Sequence, residues 1–291
     1  MLMDIQKQVL KRQKAGQKIV PVHPGNSGTA FLKSLIHQPQ SDSQLAEVIS
    51  GRYELKYYID ESKAEAVKQF IKPYLHIDRY GKDKPGNSYP IASLYFDSPT
   101  LEFCRQNMQG HKNRFKLRIR SYNDDPGYPC YVEIKRRINS IVVKTRAPVL
   151  RQDLKNLIEN SYIPHEKFST DEKTLGQFLF YAKNMNARPL ISIWYIRQAF
   201  EDDSENRVRI TFDRKLSYRA NQALDTGIEG KDWRMHFSNK VVLEIKFTGR
   251  YPAWINAMVK TLNLCCQSFS KYVISVEKCC SLGFCAPSVW G

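Results

Sequence analysis

The chain has 291 residues, of which 42% are hydrophobic and 25% are charged. This composition is typical of a globular protein and excludes a mainly disordered chain, a collagen or a small disulfide scaffold. Lysine and arginine number 45 against 29 aspartates and glutamates, which gives a formal net charge of +16. Such an excess predicts an anionic partner: nucleic acid, anionic lipid or a phosphate-rich small molecule.

Two regions are distinguished along the chain. Residues 1–50 are polar and basic and contain turn-forming prolines and glycines, which predicts a tail or loosely docked arm. Residues 51–291 follow one pattern without an internal linker, which predicts a single domain. We find no secretory signal and no apolar run of the ~20 residues that span a bilayer. We therefore expect a cytoplasmic protein without a transmembrane segment, whose association with a membrane would need a membrane-protein partner or surface electrostatics.

The dominant pattern in the domain is the alternation of polar and apolar residues. In the first such segment, Glu54 and Lys56 share one face and Leu55 and Tyr57 share the other. A period of two predicts a β-strand with two chemically different faces. The pattern recurs eight times, at Arg52–Ile59, Ser93–Asp97, Lys116–Tyr122, Tyr131–Arg137, Val142–Arg146, Ile193–Arg197, Arg207–Asp213 and Val242–Phe247. Eight such segments predict a large antiparallel sheet or a closed barrel.

Helical periodicity is found in fewer places. Amphipathic segments predict helices over residues 60–74, 98–109, 153–159, 171–185 and 252–264. In the first of these, Ser62 followed by Glu65 predicts a capping box. The predicted class is α+β with a dominant antiparallel sheet and with helices packed on its apolar outer face.

The polar faces of the strands carry many cations. Lys116, Arg118 and Arg120 follow one another on one face, as do Lys135 and Arg137. Neighbouring strands bring such side chains to ~5 Å, where two like charges repel by ~3 kcal/mol at an effective dielectric of 20. Further cations stand on other strands, at Lys56, Lys144, Arg146, Arg197, Arg207, Arg209 and Lys246. A single strand with a cationic face would be explained by contact of that face with water. Cationic faces on most of the strands instead predict a concave site for a polyanion.

Acidic residues on these faces are few. They are Glu54, Asp97, Glu133, Asp213 and Glu244. Their simplest role is to pair with the neighbouring cations. Their alternative role is to hold a divalent metal ion that bridges substrate phosphates, because hard cations prefer carboxylate oxygens. Glu244 is the strongest single candidate for a metal ligand.

Other chemistry-bearing motifs are few. The sequence contains no P-loop, no GxGxxG, no HExxH and no helix-turn-helix or RNP signature, so we expect no sequence-specific binding of nucleic acid. Ser270 is placed to cap a helix that begins with Lys271. A helix start offers free N–H groups to a phosphate, although an ordinary cap with an exposed lysine is the commoner arrangement.

These motifs, in this order, resemble the VTC domain, the catalytic module of polyphosphate polymerases, which belongs to the triphosphate tunnel metalloenzymes. The matching stretches are residues 52–57, 93–97, 117–122, 131–135, 195–197, 207–213, 243–246 and 268–272. The resemblance implies an eight-stranded antiparallel β-barrel, or tunnel, lined by arginine and lysine. It also implies that ATP donates its terminal phosphoryl group to a growing polyphosphate chain with the help of Mn²⁺ or Mg²⁺.

The resemblance also implies roles for individual residues. The positions that match phosphate-contacting residues of the family are Lys56, Arg118, Arg120, Lys135, Arg197 and Lys271. Glu244 matches a metal ligand, and Glu54 and Glu133 are further metal candidates. Six residues are expected to line the substrate path, namely Lys144, Arg146, Tyr195, Arg209, Lys246 and Ser270.

One position departs from the wider superfamily. That superfamily carries ExExK on its first strand, whereas here Arg52 stands where the first glutamate would be. This favours the polyphosphate polymerase branch over a tunnel-type triphosphatase. The triphosphatase remains the first alternative, and a non-catalytic module that binds polyphosphate or nucleic acid remains the second.

Overall fold

The structure is a computed structural model that describes residues 52–138, 141–163, 172–202, 207–230, 232–237 and 239–283. The predicted N-terminal tail, residues 1–50, lies outside the described residues. Within them, no helix is both long enough and apolar enough to cross a membrane.

In the described part of the chain, ten antiparallel strands form one sheet. They are β1 (Arg52–Asp60), β2 (His76–Ile77), β3 (Ser88–Asp97), β4 (Arg114–Ser121), β5 (Cys130–Ile138), β6 (Ile141–Val149), β7 (Arg188–Glu201), β8 (Arg209–Ala220), β9 (Arg234–Met235) and β10 (Lys240–Thr248). The eight long strands are ordered β1-β10-β8-β7-β3-β4-β5-β6, while β2 and β9 pair at the sides of β7 and β8. Each of the eight predicted segments coincides with one long strand, so the prediction of a dominant antiparallel sheet is confirmed.

Within the residues that the structure describes, six α-helices connect or follow the strands. They are α1 (Glu61–Ile71), α2 (Glu102–Met108), α3 (Leu154–Asn160), α4 (Glu172–Asn184), α5 (Ala253–Thr261) and α6 (Lys271–Ser281). The five predicted amphipathic helices are confirmed, and α6 begins directly after Ser270. The predicted capping box is wrong, because Asp60 occupies the N-cap position and Ser62 already lies inside the first turn.

The sheet is strongly curved. Along its hydrogen-bonded order, β1 and β5 are six strand spacings apart, which would be about 29 Å in a flat sheet. Yet Lys135 Nζ on β5 lies 3.2 Å from Glu54 Oε2 on β1. The predicted closure into a barrel is not seen as strand pairing, because the hydrogen-bonded path through the described residues ends at β1 and β6 without joining them.

The two faces of the sheet differ in chemistry. The outer face is apolar and packs against helices; for example, Leu243 and Ile245 of β10 share a core with Val67 and Ile71 of α1. The opposite face, which carries Glu54 and the predicted cations, is called here the inner face. Burial of the apolar outer face fixes which residues of each strand point inward, since a one-residue slip would exchange the two faces.

Helix α6 is the exception to the prediction that helices pack on the outside. Its Tyr272 and Val276 share a core with Tyr95 of β3 and Ile193 of β7, which belong to the inner face. The Tyr272 and Tyr95 rings stack with centroids 4.8 Å apart. Helix α6 therefore covers one end of the inner face from within.

The chain reaches the inside by crossing the free edge of β1. Between α5 and α6, Cys266 forms an isolated bridge with Tyr57, and the Gln267 N–H donates to the Lys56 carbonyl at 2.9 Å. The edge at which the sheet remains open is thus the place where the chain passes from the outer face to the inner face.

A bulge changes the alternation within β8. Asp213 pairs with Arg197 and Tyr218 pairs with Ile193, so odd-numbered residues face inward before the bulge and even-numbered ones after it. Lys215 has a φ of +53° at this irregularity. An extra residue in one strand of an antiparallel pair shifts the faces in this way.

Candidate active site

Strand register places the predicted cations in rows across the inner face. Lys116 of β4, Lys135 of β5 and Lys144 of β6 lie side by side. The next row consists of Arg118, Glu133 and Arg146. Like charges directly opposite one another in a sheet are destabilising, so the three-lysine row is an unusual arrangement that a bound anion would relieve.

One centre of the inner face is built around Glu133, whose side chain is 0% exposed. Arg118 contacts it through Nε and Nη2 at 2.7 and 2.6 Å, and Lys144 Nζ contacts its other oxygen at 2.6 Å. Arg120 and Arg146 each lie 3.9 Å from it. We call Glu133 and these four cations the Glu133 cluster. One carboxylate here faces four positive side chains.

Electrostatics in the Glu133 cluster follow from this imbalance. Burial alone would raise the pKa of Glu133, but Arg118, Arg120 and Lys144 hold it well below its ordinary value. Burial, opposed by Glu133 and assisted by Arg120 and Arg118, lowers the pKa of Lys144 to about 7. Lys144 is therefore only partly charged near neutral pH, and an added anion would favour its protonation.

A second centre is built around Glu244 of β10. Its carboxylate contacts Lys246 Nζ at 2.6 Å and Lys271 Nζ at 2.7 Å. Lys271 also contacts Asp213 at 2.6 Å, and Asp213 accepts two hydrogen bonds of 2.7 Å from the Arg197 guanidinium. Burial would raise the pKa of Glu244, but Lys246 and Lys271 hold it well below its ordinary value, so it is ionised.

Glu54 links this second centre to the lysine row. Its carboxylate lies 3.3 Å from Lys56 Nζ, 3.2 Å from Lys135 Nζ and 3.9 Å from Lys246 Nζ. We call the whole group the Glu244 cluster; its members are Glu54, Asp213, Glu244, Lys56, Lys135, Arg197, Lys246 and Lys271. Burial lowers the pKa of both Lys135 and Lys246 despite these carboxylates.

The first residue of α6 makes an unusual contact. A cation at a helix N-terminus is disfavoured by the helix dipole, yet Lys271 stands there. Asp213 and Glu244 overcome both the dipole and burial, and they raise the pKa of Lys271 above its ordinary value. The Lys271 ammonium also lies 5.0 Å from the centre of the buried Tyr195 ring. Ser270 caps the helix by accepting from the Val273 N–H at 3.3 Å.

Lys116 was predicted to share a cationic face with Arg118 and Arg120 but was given no individual role, and the structure places it beside the start of α6. Its ammonium donates to Ser270 Oγ at 3.0 Å. In the part of the chain that the structure describes, no carboxylate oxygen lies within the 4.0 Å of an ion pair with it. Burial, together with Lys135 and Lys56, holds the pKa of Lys116 well below its ordinary value.

Two residues make their ion pairs or hydrogen bonds with other partners. Arg209 stands opposite Lys246 in the register of β8 and β10, but its guanidinium pairs with Glu201 and lies 2.5 Å from Asp78 Oδ2. Asp97 accepts the N–H groups of Phe103 and Cys104 at 2.9 Å each and so anchors the first turn of α2. The side chain of Arg52 lies outside the described part of the chain.

The candidate metal ligands are the carboxylates of Glu54, Glu133 and Glu244. Across the ranges described, no group of three or more His, Cys, Asp or Glu side chains has the arrangement of a metal site. Glu54 and Glu244 nevertheless lie near one another, because both contact Lys246. Mg²⁺ commonly binds through one or two carboxylates together with substrate phosphates, so this pair fits such an ion. Glu133 belongs to the other cluster and does not join them.

Cations outnumber carboxylates on the inner face as a whole. The carboxylates of the two clusters are Glu54, Glu133, Asp213 and Glu244, and the cations are Lys56, Lys116, Arg118, Arg120, Lys135, Lys144, Arg146, Arg197, Lys246 and Lys271. Arginine forks and lysine ammonium groups are the side chains that bind phosphate oxygens best. The fold and the site thus define a curved antiparallel sheet whose inner face matches a multiply charged anion.

Comparison with known proteins gives the family. The model of the VTC domain matches residues 51–280, and the chain belongs to this family. The chain is 22% identical over 266 residues to vacuolar transporter chaperone complex subunit 4 of Schizosaccharomyces pombe. That similarity covers 78% of this chain and 37% of the relative, so the chain spans little more than a third of the relative's length.

The solved structures to which the chain is similar are more distant in sequence. A candidate adenylyl cyclase from Hippeastrum with a dominant triphosphatase activity has a TM-score of 0.44 at 12% identity, covering 77% of this chain and 95% of that one. A candidate adenylate cyclase from Bacillus halodurans has a TM-score of 0.43 at 12% identity, covering 76% and 95%. At 12% identity these structures assign no role to any residue of the present chain.

Proposed function

We propose that this chain is a phosphotransferase that moves the terminal phosphoryl group of ATP onto a growing polyphosphate chain. The observation that carries the proposal is the excess of cations over carboxylates on an inner face that also holds a helix-borne lysine between two acids. A triphosphate and a polyphosphate chain both present the closely spaced negative charges that such rows complement. Membership of the VTC family supports the same reaction.

The donor would be held by the Glu133 cluster and the lysine row. In phosphoryl transfer, charge is spread over the equatorial oxygens of the transferring group, so fixed cations lower the barrier by electrostatic stabilisation. Arg118, Arg120 and Lys135 clamp the donor phosphates in this proposal, and Lys144 and Arg146 extend the clamp. Arg118 is already fixed by Glu133 and by a 2.9 Å hydrogen bond to Tyr95, which reduces the cost of orienting it.

The acceptor would be oriented by Lys271 and Arg197. Both are held by Asp213, and Lys271 stands at the start of α6 beside Ser270 and Tyr195. A terminal phosphate of the acceptor is anionic at neutral pH, so no general base is needed. Lys56 and Lys246 add positive charge around the reacting group, while Arg209 lies further along the path.

The proposal includes a divalent ion, Mn²⁺ or Mg²⁺, held by Glu244 together with Glu54. When bound, such an ion neutralises developing charge on phosphate oxygens. Lys246 and Lys271 also contact the Glu244 carboxylate. Glu133 remains a further candidate ligand.

One assay separates this proposal from its alternatives. The purified chain is incubated with ATP and Mn²⁺, and the products are separated on a gel. Long phosphate chains together with ADP support the polymerase. Free phosphate without chains would identify a triphosphatase that uses water as the acceptor. Tight binding of polyphosphate without turnover would identify a binding module.

We also propose a cytoplasmic location with a membrane-protein partner. Support comes from the S. pombe relative, which is a subunit of a complex and is considerably longer than this chain. Co-purification of the tagged chain from membrane and soluble fractions tests this proposal, and recovery from the soluble fraction without any membrane protein would contradict it.

A further inference from the structure

The end of the inner face farthest from α6 has a different lining from the rest. Tyr95 and Lys116, which contact α6, lie at one end of β3 and β4. At the opposite ends of these and neighbouring elements stand tyrosines. They are Tyr80 in the turn after β2, Tyr89 at the start of β3, Tyr122 directly after β4 and Tyr131 at the start of β5. We call these four residues the tyrosine rim.

The rings of the tyrosine rim touch one another in sequence. Centroid distances are 6.3 Å from Tyr80 to Tyr89, 6.3 Å from Tyr89 to Tyr122 and 5.7 Å from Tyr122 to Tyr131. The Arg146 guanidinium lies 3.5 Å from the centre of the Tyr131 ring. These contacts hold the rings in a continuous arc. Tyr80 is 47% exposed, so the arc is open to a ligand at that end.

Cations at the tyrosine rim lie against ring faces: Arg79 is 4.8 Å from the centre of the Tyr80 ring and Lys84 Nζ is 5.6 Å from that of Tyr89. Arg209 makes a 3.4 Å hydrogen bond to the Tyr89 hydroxyl and pairs with both Asp78 and Glu201. The face of a tyrosine ring is electron-rich, and it attracts cations and planar rings but not phosphate oxygens. The rim therefore offers ring faces on which a planar aromatic group can stack.

We propose that the tyrosine rim stacks the nucleobase of a nucleoside triphosphate whose phosphates extend toward the lysine row. The proposal rests on the proposed function, since it assigns a place to the base of the donor. A base stacked on tyrosine is held largely without regard to its identity, because every base has a π-face. The rim therefore distinguishes a nucleoside triphosphate from inorganic tripolyphosphate, and it orients the terminal phosphoryl group toward Lys271.

The test compares two ligands that differ in whether they carry a base. Binding of ATP and of inorganic tripolyphosphate is measured by titration calorimetry without divalent metal, so that no turnover occurs. Wild-type protein should bind ATP more tightly than its affinity for tripolyphosphate would predict from charge alone. Tyr122→Ala should weaken ATP binding about tenfold and leave tripolyphosphate binding unchanged. Tyr122→Phe keeps the ring and should restore ATP binding.

Two further variants protect the test against misfolding. Tyr80→Ala removes the most exposed ring of the rim and should weaken ATP binding in the same selective way. Tyr162→Ala removes a tyrosine that is 56% exposed and lies outside the rim, and it should change neither affinity. Unchanged ATP affinity in both rim variants, or equal losses for both ligands, would overturn the assignment even where the gel assay shows polymer. Failure of wild type to bind either ligand would overturn the proposed function with it.

Discussion

The Glu133 cluster and the Glu244 cluster are made from the same residue types on the same sheet, but their charge is balanced differently. Glu133 is a single buried carboxylate that faces four cations. The Glu244 cluster instead holds three carboxylates among five cations, several of them contacting two acids. The comparison shows that the first cluster has the larger surplus of positive charge for each carboxylate. Under the proposed function, the first cluster would clamp the donor phosphates, and the ion pairs of the second would be exchanged for a metal ion or for phosphate.

The largest expected effect comes from Glu244→Gln. This change removes the negative charge from the proposed metal site while keeping the side-chain volume. We expect turnover to fall by at least about a hundredfold, the typical size of a lost electrostatic contribution to the transition state. ATP binding without metal should be kept or strengthened, because Lys246 and Lys271 lose an anionic partner. Glu277→Gln, on the exposed side of α6, is the control, and equal turnover in the two variants would contradict this role.

Lys135→Ala tests the lysine row next to the clamp. Loss of a charged contact to phosphate should lower kcat/KM for ATP by about tenfold to a hundredfold. The melting temperature should hold, because Glu54 keeps Lys56 as a partner. The matched control is Lys155→Ala on the exposed side of α3. Steady-state kinetics of both variants measure kcat/KM for ATP. A wild-type value in Lys135→Ala would show that this lysine does not contribute to the site.

The Glu133 cluster should also make binding depend on pH. The pKa of Lys144 is about 7 in the free protein, and a bound polyanion raises it. Binding then takes up a proton above pH 7, so the contribution of Lys144 to ATP affinity should fall about tenfold between pH 6 and pH 8. Lys144→Arg, which stays charged, should remove this contribution. Calorimetry in buffers of different ionisation enthalpy measures the uptake, and identical pH profiles for variant and wild type would refute it.

The smallest expected effect concerns the start of α6. Ser270→Ala removes the cap and the oxygen that accepts from Lys116, and it should cost about 1 kcal/mol of unfolding free energy. Ser281→Ala at the other end of α6 should cost less. Urea denaturation followed by circular dichroism measures both variants. A stability loss no greater at Ser270 than at Ser281 would show that the cap is unimportant.

Much of the sheet was predictable from the sequence because one face of each strand is buried. Burial forces period-two alternation, and that alternation alone identifies Arg118, Lys135 and Glu244 as residues of one face. The family resemblance added Tyr195 and Lys271. The roles assigned to these residues stay predictions until the variants are measured.

What the sequence did not predict depends on register and on tertiary packing. The pairing of Arg197 with Asp213 follows from the register between β7 and β8, which alternation does not specify. The bulge at Lys215 reverses the facing residues within one strand. An amphipathic helix has an apolar side, but its sequence does not specify which surface covers that side, so the packing of α6 against the inner face did not follow from its pattern. The tyrosine rim was missed because its members come from four separate elements.

The crossing of the chain over the edge of β1 has a consequence for biosynthesis. Lys271 and Ser270 follow every strand of the sheet in the sequence, and a ribosome delivers the chain from its N-terminus. The curved sheet can assemble before α6 is available to enter it. A partly made chain would already hold Arg197 and Lys246, but it would lack Lys271, which contacts both Asp213 and Glu244. In the proposed reaction, Lys271 would therefore join the site only after the sheet has been synthesised.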